Sequence, residues 1–180
     1  MKIYFAGPDV FRPDAAAWAD SVRELCLQHG FEALTPLDHL ETTPVAICNG
    51  NLELIRKAQI VVANLNPFRG AEPDSGTAFE LGYALALGKK LVGYIDSLET
   101  VLERVKRLDR HASSQTGAPS DGQGLVIENF GLPVNLMLAM SAQIVEGDLA
   151  TCLTTIRPKR TENASAPKNT EPETAYQPGV

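Results

Sequence analysis

Short apolar runs alternate along the chain with segments of helical periodicity, and this alternation constrains the fold more than any other feature. The run at residues 60–63 is β-branched and has no polar residue between its apolar ones, which is typical of a strand buried on both faces. Parallel strands joined by helices form sheets that are covered on both sides. The sequence therefore predicts an α/β fold, a flavodoxin-like doubly wound sheet of five parallel strands with helices on both faces.

Strands are predicted at residues 2–6, 31–34, 60–63, 91–95 and 143–145, and helices from Pro13-Asp14 to Gly30 and at residues 51–58, 76–87, 97–108, 133–140 and 149–156. Sheets of this kind bind ligands beyond the carboxyl ends of their strands, near the point where the strand order reverses. The loops at residues 7–11 and 64–75 are expected to meet at that edge.

The length of 180 residues suits one domain, predicted to span residues 1–157. Hydrophobic residues almost vanish after that point, which predicts a disordered tail at residues 158–180. The net charge of −6 disfavours a nucleic-acid polymer as partner but leaves small nucleosides and nucleotides open.

Neither a membrane partner nor a bound metal is expected. The chain has no apolar run of about 18 residues, and its start lacks the apolar segment of a signal peptide. The three cysteines are widely spaced, which suggests neither a disulfide framework nor a zinc site. We therefore expect a protein of the reducing cytoplasm.

The stretch from residue 67 to residue 84 carries the densest set of chemical groups, passing from a loop into a helix. Asp74 and Glu80 there are two carboxylates that could share a pocket, and a pair about 5 Å apart is what a retaining glycosyl transfer uses. Gly76 between them would let a sugar ring approach the backbone. The simpler interpretation makes Asp74 a helix cap and Glu80 a first-turn acid favoured by the helix dipole.

Three segments together resemble the nucleoside 2-deoxyribosyltransferases. They are YFAGP at residues 4–8, PFRG followed by EPDSGTAFE at residues 67–80, and GLPVNLM at residues 131–137. The resemblance covers residues 1–157, and the middle segment is its most specific part.

The resemblance implies roles for individual residues. Glu80 matches the nucleophile that forms a covalent 2-deoxyribosyl intermediate, Tyr4 the hydroxyl that holds this carboxylate, and Asp74 an acid that binds the deoxyribose or assists at the base. Asn51 aligns less securely with a position that is Asp in some members, and an Asn cannot donate an acidic proton. Predicted substrate-binding residues are Gly7, Pro8, Phe11, Asp38, Asn51, Gly76, Asn135 and Met137, and His39 matches loosely beside Asp38.

The implied reaction moves 2-deoxyribose between nucleobases, with purines favoured, by two inversions through the Glu80 glycosyl-enzyme. It requires no cofactor. Asn135 and Met137 match residues that the family donates to a neighbouring subunit's site, so a homo-oligomer is expected. Without the resemblance, Tyr4 and Met137 would be assigned to packing and Asn135 to a helix cap or the surface. Arg69 could bind a phosphate, but a loop arginine is expected to be solvated or paired with an acid such as Glu72.

Two alternatives remain open at this stage. The nearer one is a 2-deoxynucleoside 5-monophosphate N-glycosidase, a hydrolase of the same fold that needs a Gly/Ser-rich phosphate cradle after strand one. This chain has an acid there, Asp9, and no serine. The other is a non-catalytic nucleotide-binding or flavin-binding module, since this fold carries many functions.

Overall fold

Five strands form one parallel sheet in the computed structural model, which describes residues 1–112 and 117–156. The strands are β1 (Lys2–Ala6), β2 (Glu32–Leu34), β3 (Ile60–Asn64), β4 (Lys90–Ile95) and β5 (Gln143–Glu146). Their spatial order is β2-β1-β3-β4-β5, and every neighbouring pair is parallel. The predicted flavodoxin-like doubly wound sheet is confirmed.

Within the described residues, the strands are connected by six α-helices and one short 3₁₀ helix at Pro8–Phe11. The α-helices are α1 (Ala15–Gln28), α2 (Pro44–Lys57), α3 (Ser75–Ala86), α4 (Val101–Leu108), α5 (Leu136–Ser141) and α6 (Leu149–Ile156). None of these helices has both the length and the apolar character needed to cross a membrane.

Hydrophobic side chains cover both faces of the sheet because successive residues of a strand point to opposite sides. On one face, Val62 and its neighbours pack against apolar residues of α1 and α6. On the other face, Tyr4 and Val61 join a cluster that includes Leu81 of α3 and residues of α2 and α5. Tyr4 therefore points toward the side of the sheet that carries α2 and α3.

Helix α2 is longer than the sequence pattern predicts, and the prediction that it begins at Asn51 is wrong. The helix begins at Pro44, after Thr43, whose hydroxyl accepts a hydrogen bond from the backbone N–H of Ala46 at 3.3 Å. Its first turns carry exposed apolar residues such as Val45, which is 72% exposed. Without a buried stripe, the pattern does not mark this half of the helix.

Other helix boundaries also shift toward the residues that cap them. Helix α4 begins at Val101 rather than residue 97, because Thr100 and Glu103 form a reciprocal capping box. Helix α5 begins at Leu136 rather than residue 133, with Asn135 as its N-cap.

Glu80 lies in the second turn of α3, so the first-turn interpretation of this acid is wrong. The predicted tail at 158–180 lies outside the described residues.

The carboxyl edge of the sheet brings the loops after β1 and β3 together, as expected. Ala6 pairs with Ala63 at the end of the two strands, and Gly7 follows directly. A Cβ atom on Gly7 would lie 2.9 Å from the Cβ atom of Asn64, closer than real contacts allow. Glycine at position 7 thus permits the close approach of the two chain segments that frame this edge.

Candidate active site

A hydrogen bond between Tyr4 and Glu80 forms the centre of the candidate site. The Tyr4 hydroxyl donates to Glu80 Oε1 at 2.6 Å, joining β1 to α3 across 76 residues of sequence. Tyr4 is fully buried, and its place in β1 points it toward the face of the sheet that carries α2 and α3. Glu80 extends from the same helix that buries Thr77, Leu81 and Ala84. A carboxylate is therefore held at the margin of the apolar core.

This environment changes the acidity of both groups. Burial raises the pKa of Glu80 to about 7; the nearby charge of Asp74 also raises it, whereas hydrogen bonds from Tyr4 and Asn51 lower it. Burial and the charge of Glu80 raise the pKa of Tyr4 far above its usual value, so the hydroxyl keeps its proton and remains a donor. Glu80 can therefore exist as a carboxylate or as an acid near neutral pH.

A second donor reaches the same oxygen of Glu80. Asn51 Nδ2 of helix α2 donates to Glu80 Oε1 at 3.4 Å, and Asn51 Oδ1 lies 2.9 Å from Nε2 of His39. Both hydrogen bonds on Glu80 thus involve Oε1. The other oxygen, Oε2, accepts no hydrogen bond from the residues that the structure describes.

Asp74 serves as the N-cap of α3. Its Oδ2 accepts from the Thr77 backbone N–H at 2.9 Å and from the Thr77 hydroxyl at 3.2 Å. A Cβ atom at Gly76 would lie 2.9 Å from this oxygen, so Gly76 leaves the Asp74 carboxylate uncovered. The capping interpretation is therefore correct, and the same carboxylate lies near enough to Glu80 to raise its pKa.

Asp38 is bonded to Thr35 of its own loop and to Arg23 of helix α1. Its carboxylate accepts from Arg23 Nη2 at 2.6 Å and from the Thr35 hydroxyl at 2.7 Å. Although burial opposes ionisation, the hydrogen bonds from Arg23 and Thr35 prevail and lower the pKa of Asp38. Its charge also contributes to the raised pKa of Tyr4. Asp38 thus lies in the neighbourhood of the site as a fixed negative charge.

The loop after β1 supplies an aromatic surface at the same edge. Phe11, which follows Pro8 in the 3₁₀ helix, is 59% exposed and stacks on Phe68 with ring centroids 5.5 Å apart. The guanidinium of Arg69 lies 5.1 Å from the Phe11 centroid and 4.6 Å from that of Phe68. Arg69 is exposed, which agrees with the expectation of a solvated side chain, and within the described residues it makes cation–π contacts rather than the alternative ion pair with Glu72.

In the described part of the chain, no hydrogen bond joins Asn135 or Met137 to the Tyr4–Glu80 pair. Asn135 Nδ2 donates to Glu128 Oε1 at 2.7 Å, and Asn135 Oδ1 accepts from the Met137 backbone N–H at 2.9 Å. Met137 is 73% exposed. Both residues line a cavity of about 410 Å³ together with Glu72 and Ala78. Met137 thus presents an apolar group outward, whereas both ends of the Asn135 amide are bonded within the chain.

Several polar residues of this region have no recognisable sequence signal. The half-buried Asn64 donates to the buried Asp9 at 2.9 Å and accepts from Asn66, which in turn bonds to Asp96 after β4. This network joins the ends of three neighbouring strands. The hydrogen-bond partners of His39 and Glu128 are equally invisible in the sequence, although the family resemblance matches His39 loosely, because these partners lie 12 and 7 residues away without a periodic pattern. In residues 1–112 and 117–156, no cluster of three His, Cys, Asp or Glu side chains is arranged to hold a metal ion.

Replacing Glu80 by glutamine should stabilise the protein at alkaline pH. The raised pKa means that the folded state binds the proton more tightly than the unfolded chain, so the wild-type protein loses stability as pH rises from about 4.5 to about 7. The expected gain for Glu80→Gln is about 1 kcal/mol at pH 5 and about 3 kcal/mol at pH 8. Urea unfolding at both pH values measures it, with the exposed Glu53→Gln as control. A gain independent of pH would contradict the assignment.

Comparison with known sequences gives an independent view of this arrangement. A family model described as nucleoside 2-deoxyribosyltransferase matches residues 3–137, a segment that contains Tyr4, Asp74, Glu80, Asn135 and Met137. An uncharacterised protein of Schizosaccharomyces pombe (strain 972 / ATCC 24843) is 30% identical over 155 residues, covering 75% of this chain and 74% of that protein.

Solved structures show the same relationship. The 2-desoxiribosyltransferase from Leishmania mexicana is 38% identical with a TM-score of 0.72, and the match covers 86% of this chain and 95% of that one. The 2-deoxyribosyltransferase from Bacillus psychrosaccharolyticus shares the fold at a TM-score of 0.51 and 20% identity, covering 84% and 96% of the two chains. With three quarters of its length matched by the family model, this chain belongs to the nucleoside 2-deoxyribosyltransferase family.

Proposed function

We propose that the protein transfers 2-deoxyribose from a deoxynucleoside to another nucleobase, through a covalent intermediate on Glu80. The observation that carries this proposal is the 2.6 Å hydrogen bond from Tyr4 to Glu80 Oε1. It provides a half-buried carboxylate in which Oε1 accepts hydrogen bonds from Tyr4 and Asn51, and Oε2 accepts none from the described residues. Such a group suits attack on an anomeric carbon.

The chemistry follows from the charge that develops on the sugar. As the bond between the anomeric carbon and the base breaks, the sugar gains oxocarbenium character, and the Glu80 carboxylate stabilises this charge before Oε2 bonds to the carbon. The electron pair of the broken bond leaves with the base, which needs a proton or a hydrogen-bond donor. A second base then attacks from the face that the first one left. The bond between the carbon and Oε2 breaks, its electron pair returns to the Glu80 carboxylate, and the incoming base gives up its N–H proton. Two inversions give net retention.

Asp74 and Asn51 have complementary roles in this proposal. Because Gly76 has no side chain to cover the Asp74 carboxylate, Asp74 can bind the deoxyribose or assist at the base. The Asn51 amide holds Glu80 Oε1 and offers a neutral hydrogen bond rather than an acidic proton. Gly7, Pro8 and Phe11 border the base at the end of β1, with Asp38 as a fixed charge nearby.

We favour purines as the exchanged bases. The residues of the loop after β3 resemble those of the purine-accepting branch of the family. The stacked Phe11 and Phe68 rings offer a wide aromatic surface near the proposed sugar site, and a purine has the larger face for stacking on it.

A complete site requires a second copy of the chain in this proposal. Asn135 bonds to Glu128 and Met137 is 73% exposed, while the large apolar side chains of Phe79 and Met140 are also exposed, at 59% and 66%. Pairing through these exposed side chains would bury apolar area and deliver Asn135 and Met137 to a neighbour's sugar site. It would also exclude water, which otherwise competes with the incoming base.

Incubation with deoxyinosine and adenine tests the proposed activity. The wild-type protein should form deoxyadenosine and hypoxanthine, and Glu80→Gln should be slower by at least about a hundredfold because it lacks the nucleophile. Chromatography with and without adenine gives the readout, and Glu53→Gln serves as control. Free deoxyribose without a new nucleoside would indicate a hydrolase, and deoxynucleoside monophosphates would then be tested. A fully active Glu80→Gln variant would contradict the covalent route.

Removing the Tyr4 hydroxyl should slow transfer severalfold or more and shift its pH dependence. The hydrogen bond from Tyr4 lowers the pKa of Glu80, so Tyr4→Phe should raise that pKa above about 7 and move the acid limb of kcat/KM to higher pH. Tyr94→Phe removes the hydroxyl of another buried tyrosine as control. If Tyr4→Phe changes neither the acid limb of kcat/KM nor the transfer rate, Tyr4 has only a packing role.

Subunit mixing tests the shared site. Glu80→Gln and Asn135→Ala chains should each be inactive alone, but co-expression should restore about a quarter of wild-type activity if a dimer forms at random. One mixed site then receives an intact Glu80 from one chain and an intact Asn135 from the other. Sedimentation checks that each variant still assembles. Activity no greater than that of the separate parents would contradict a site built across subunits.

A further inference from the structure

His39 contacts the site through Asn51 and lies against a glycine of α2. Nε2 of His39 is 2.9 Å from Asn51 Oδ1, on the far side of the amide from Glu80. A Cβ atom on Gly50 would lie 2.7 Å from Cδ2 and 3.0 Å from Nε2 of the His39 ring. Glycine normally weakens the interior of a helix. Its presence at position 50 gives the His39 ring the space to reach Asn51.

The hydrogen bonds determine which nitrogen of His39 carries the proton. Glu80 Oε1 also accepts from Tyr4, so Asn51 turns its NH₂ group toward the carboxylate and its carbonyl oxygen away. The group facing that carbonyl must be a donor. Nε2 of His39 is therefore protonated, and in the neutral ring Nδ1 carries the lone pair.

The other nitrogen of His39 shows that this contact has a cost. Nδ1 is buried, and it finds no hydrogen-bond partner among the residues that the structure describes. A buried acceptor without a partner destabilises a fold. The ring thus hydrogen-bonds to Asn51 through Nε2 while its own Nδ1 lacks a partner, which is not expected of a histidine with a purely structural role.

An asparagine at position 51 needs such a partner for a geometric reason. The two ends of its amide have nearly the same shape, but only one orientation presents a donor to Glu80. In the flipped orientation, the carbonyl oxygen would face the carboxylate and repel it. A donor fixed on the opposite side selects the productive orientation.

We propose that His39 is a positioning residue, which fixes the orientation of the Asn51 amide so that Asn51 holds Glu80 Oε1 and leaves Oε2 free to react. This inference rests on the proposed function for its catalytic consequence, but the orientation of the amide is a property of the fold. Among the described residues, Glu80 accepts hydrogen bonds from Tyr4 and Asn51 and none from His39.

Two substitutions of His39 separate positioning from packing. His39→Gln places an amide N–H near the position of Nε2 and should keep kcat close to the wild-type value. His39→Asn places its amide near Nδ1 and should lower kcat by about tenfold or more, as should His39→Ala, with the donor KM changed by less than about threefold. His29→Ala is the matched control, since the His29 ring bonds to the Leu25 carbonyl at the end of α1.

A double-mutant cycle shows whether His39 acts through Asn51. In the Asn51→Ala background, His39→Ala should lower kcat by less than about twofold, because there is no amide left to orient. Gly50→Ala, which displaces the ring while favouring the helix, should reproduce the loss seen with His39→Ala. Equal losses in both backgrounds, or an inactive His39→Gln in a folded protein, would overturn the proposal.

A measurement on the resting protein is independent of any activity. ¹⁵N NMR of histidine-labelled protein, assigned with His39→Gln, should show Nε2 protonated and Nδ1 bare in the neutral ring. The opposite tautomer would overturn the inference even if the enzyme transfers deoxyribose. If the expected tautomer is found but no nucleoside is exchanged, the amide orientation is supported and the proposed function alone fails.

Discussion

The hydrogen bond between Tyr4 and Glu80 links the centre of the sheet to the helix that carries the reactive group. Tyr4 is fixed by β1, which pairs with β2 on one side and β3 on the other, so the hydroxyl has little freedom to move. Glu80 is fixed by α3, whose start is set by the Asp74 cap. The position of the carboxylate thus depends on the sheet register and on one helix cap. Loops elsewhere can vary without disturbing it.

Burying the Glu80 carboxylate at this position makes its ionised form harder to keep. Burial raises the pKa of Glu80 to about 7, whereas the proposed chemistry needs the ionised form. Tyr4 and Asn51 counter the effect of burial by donating hydrogen bonds to the charged state. Deeper burial would strengthen the attraction of Glu80 to a cationic sugar, but it would also raise the pKa of Glu80 further and favour its protonated form. The hydrogen bonds from Tyr4 and Asn51 oppose this rise and keep part of Glu80 ionised near neutral pH.

The sequence predicts the sheet well because burial leaves a direct pattern in it. The β-branched run that forms β3 and the glycines that end helices are local signals, and both agree with the structure. The start of α2 escapes prediction because Val45 faces solvent, so no apolar stripe marks its first turns. The same is true of the site. The motif around Glu80 is local, whereas its partners on β1 and α2 meet it only through the fold.

The contacts of Arg69 and His39 show why side-chain geometry resists prediction from sequence. A loop arginine beside Glu72 suggests an ion pair, but two aromatic rings from separate loops meet there and the guanidinium lies over them instead. His39 has no spacing typical of a catalytic histidine and matches the family only loosely, and its contact with the Asn51 amide emerges from the fold. An Asp at position 51 could hold a proton itself and would need no such orientation. An Asn cannot, so the information that fixes its direction must come from a neighbour, and the fold places His39 where that neighbour has to be.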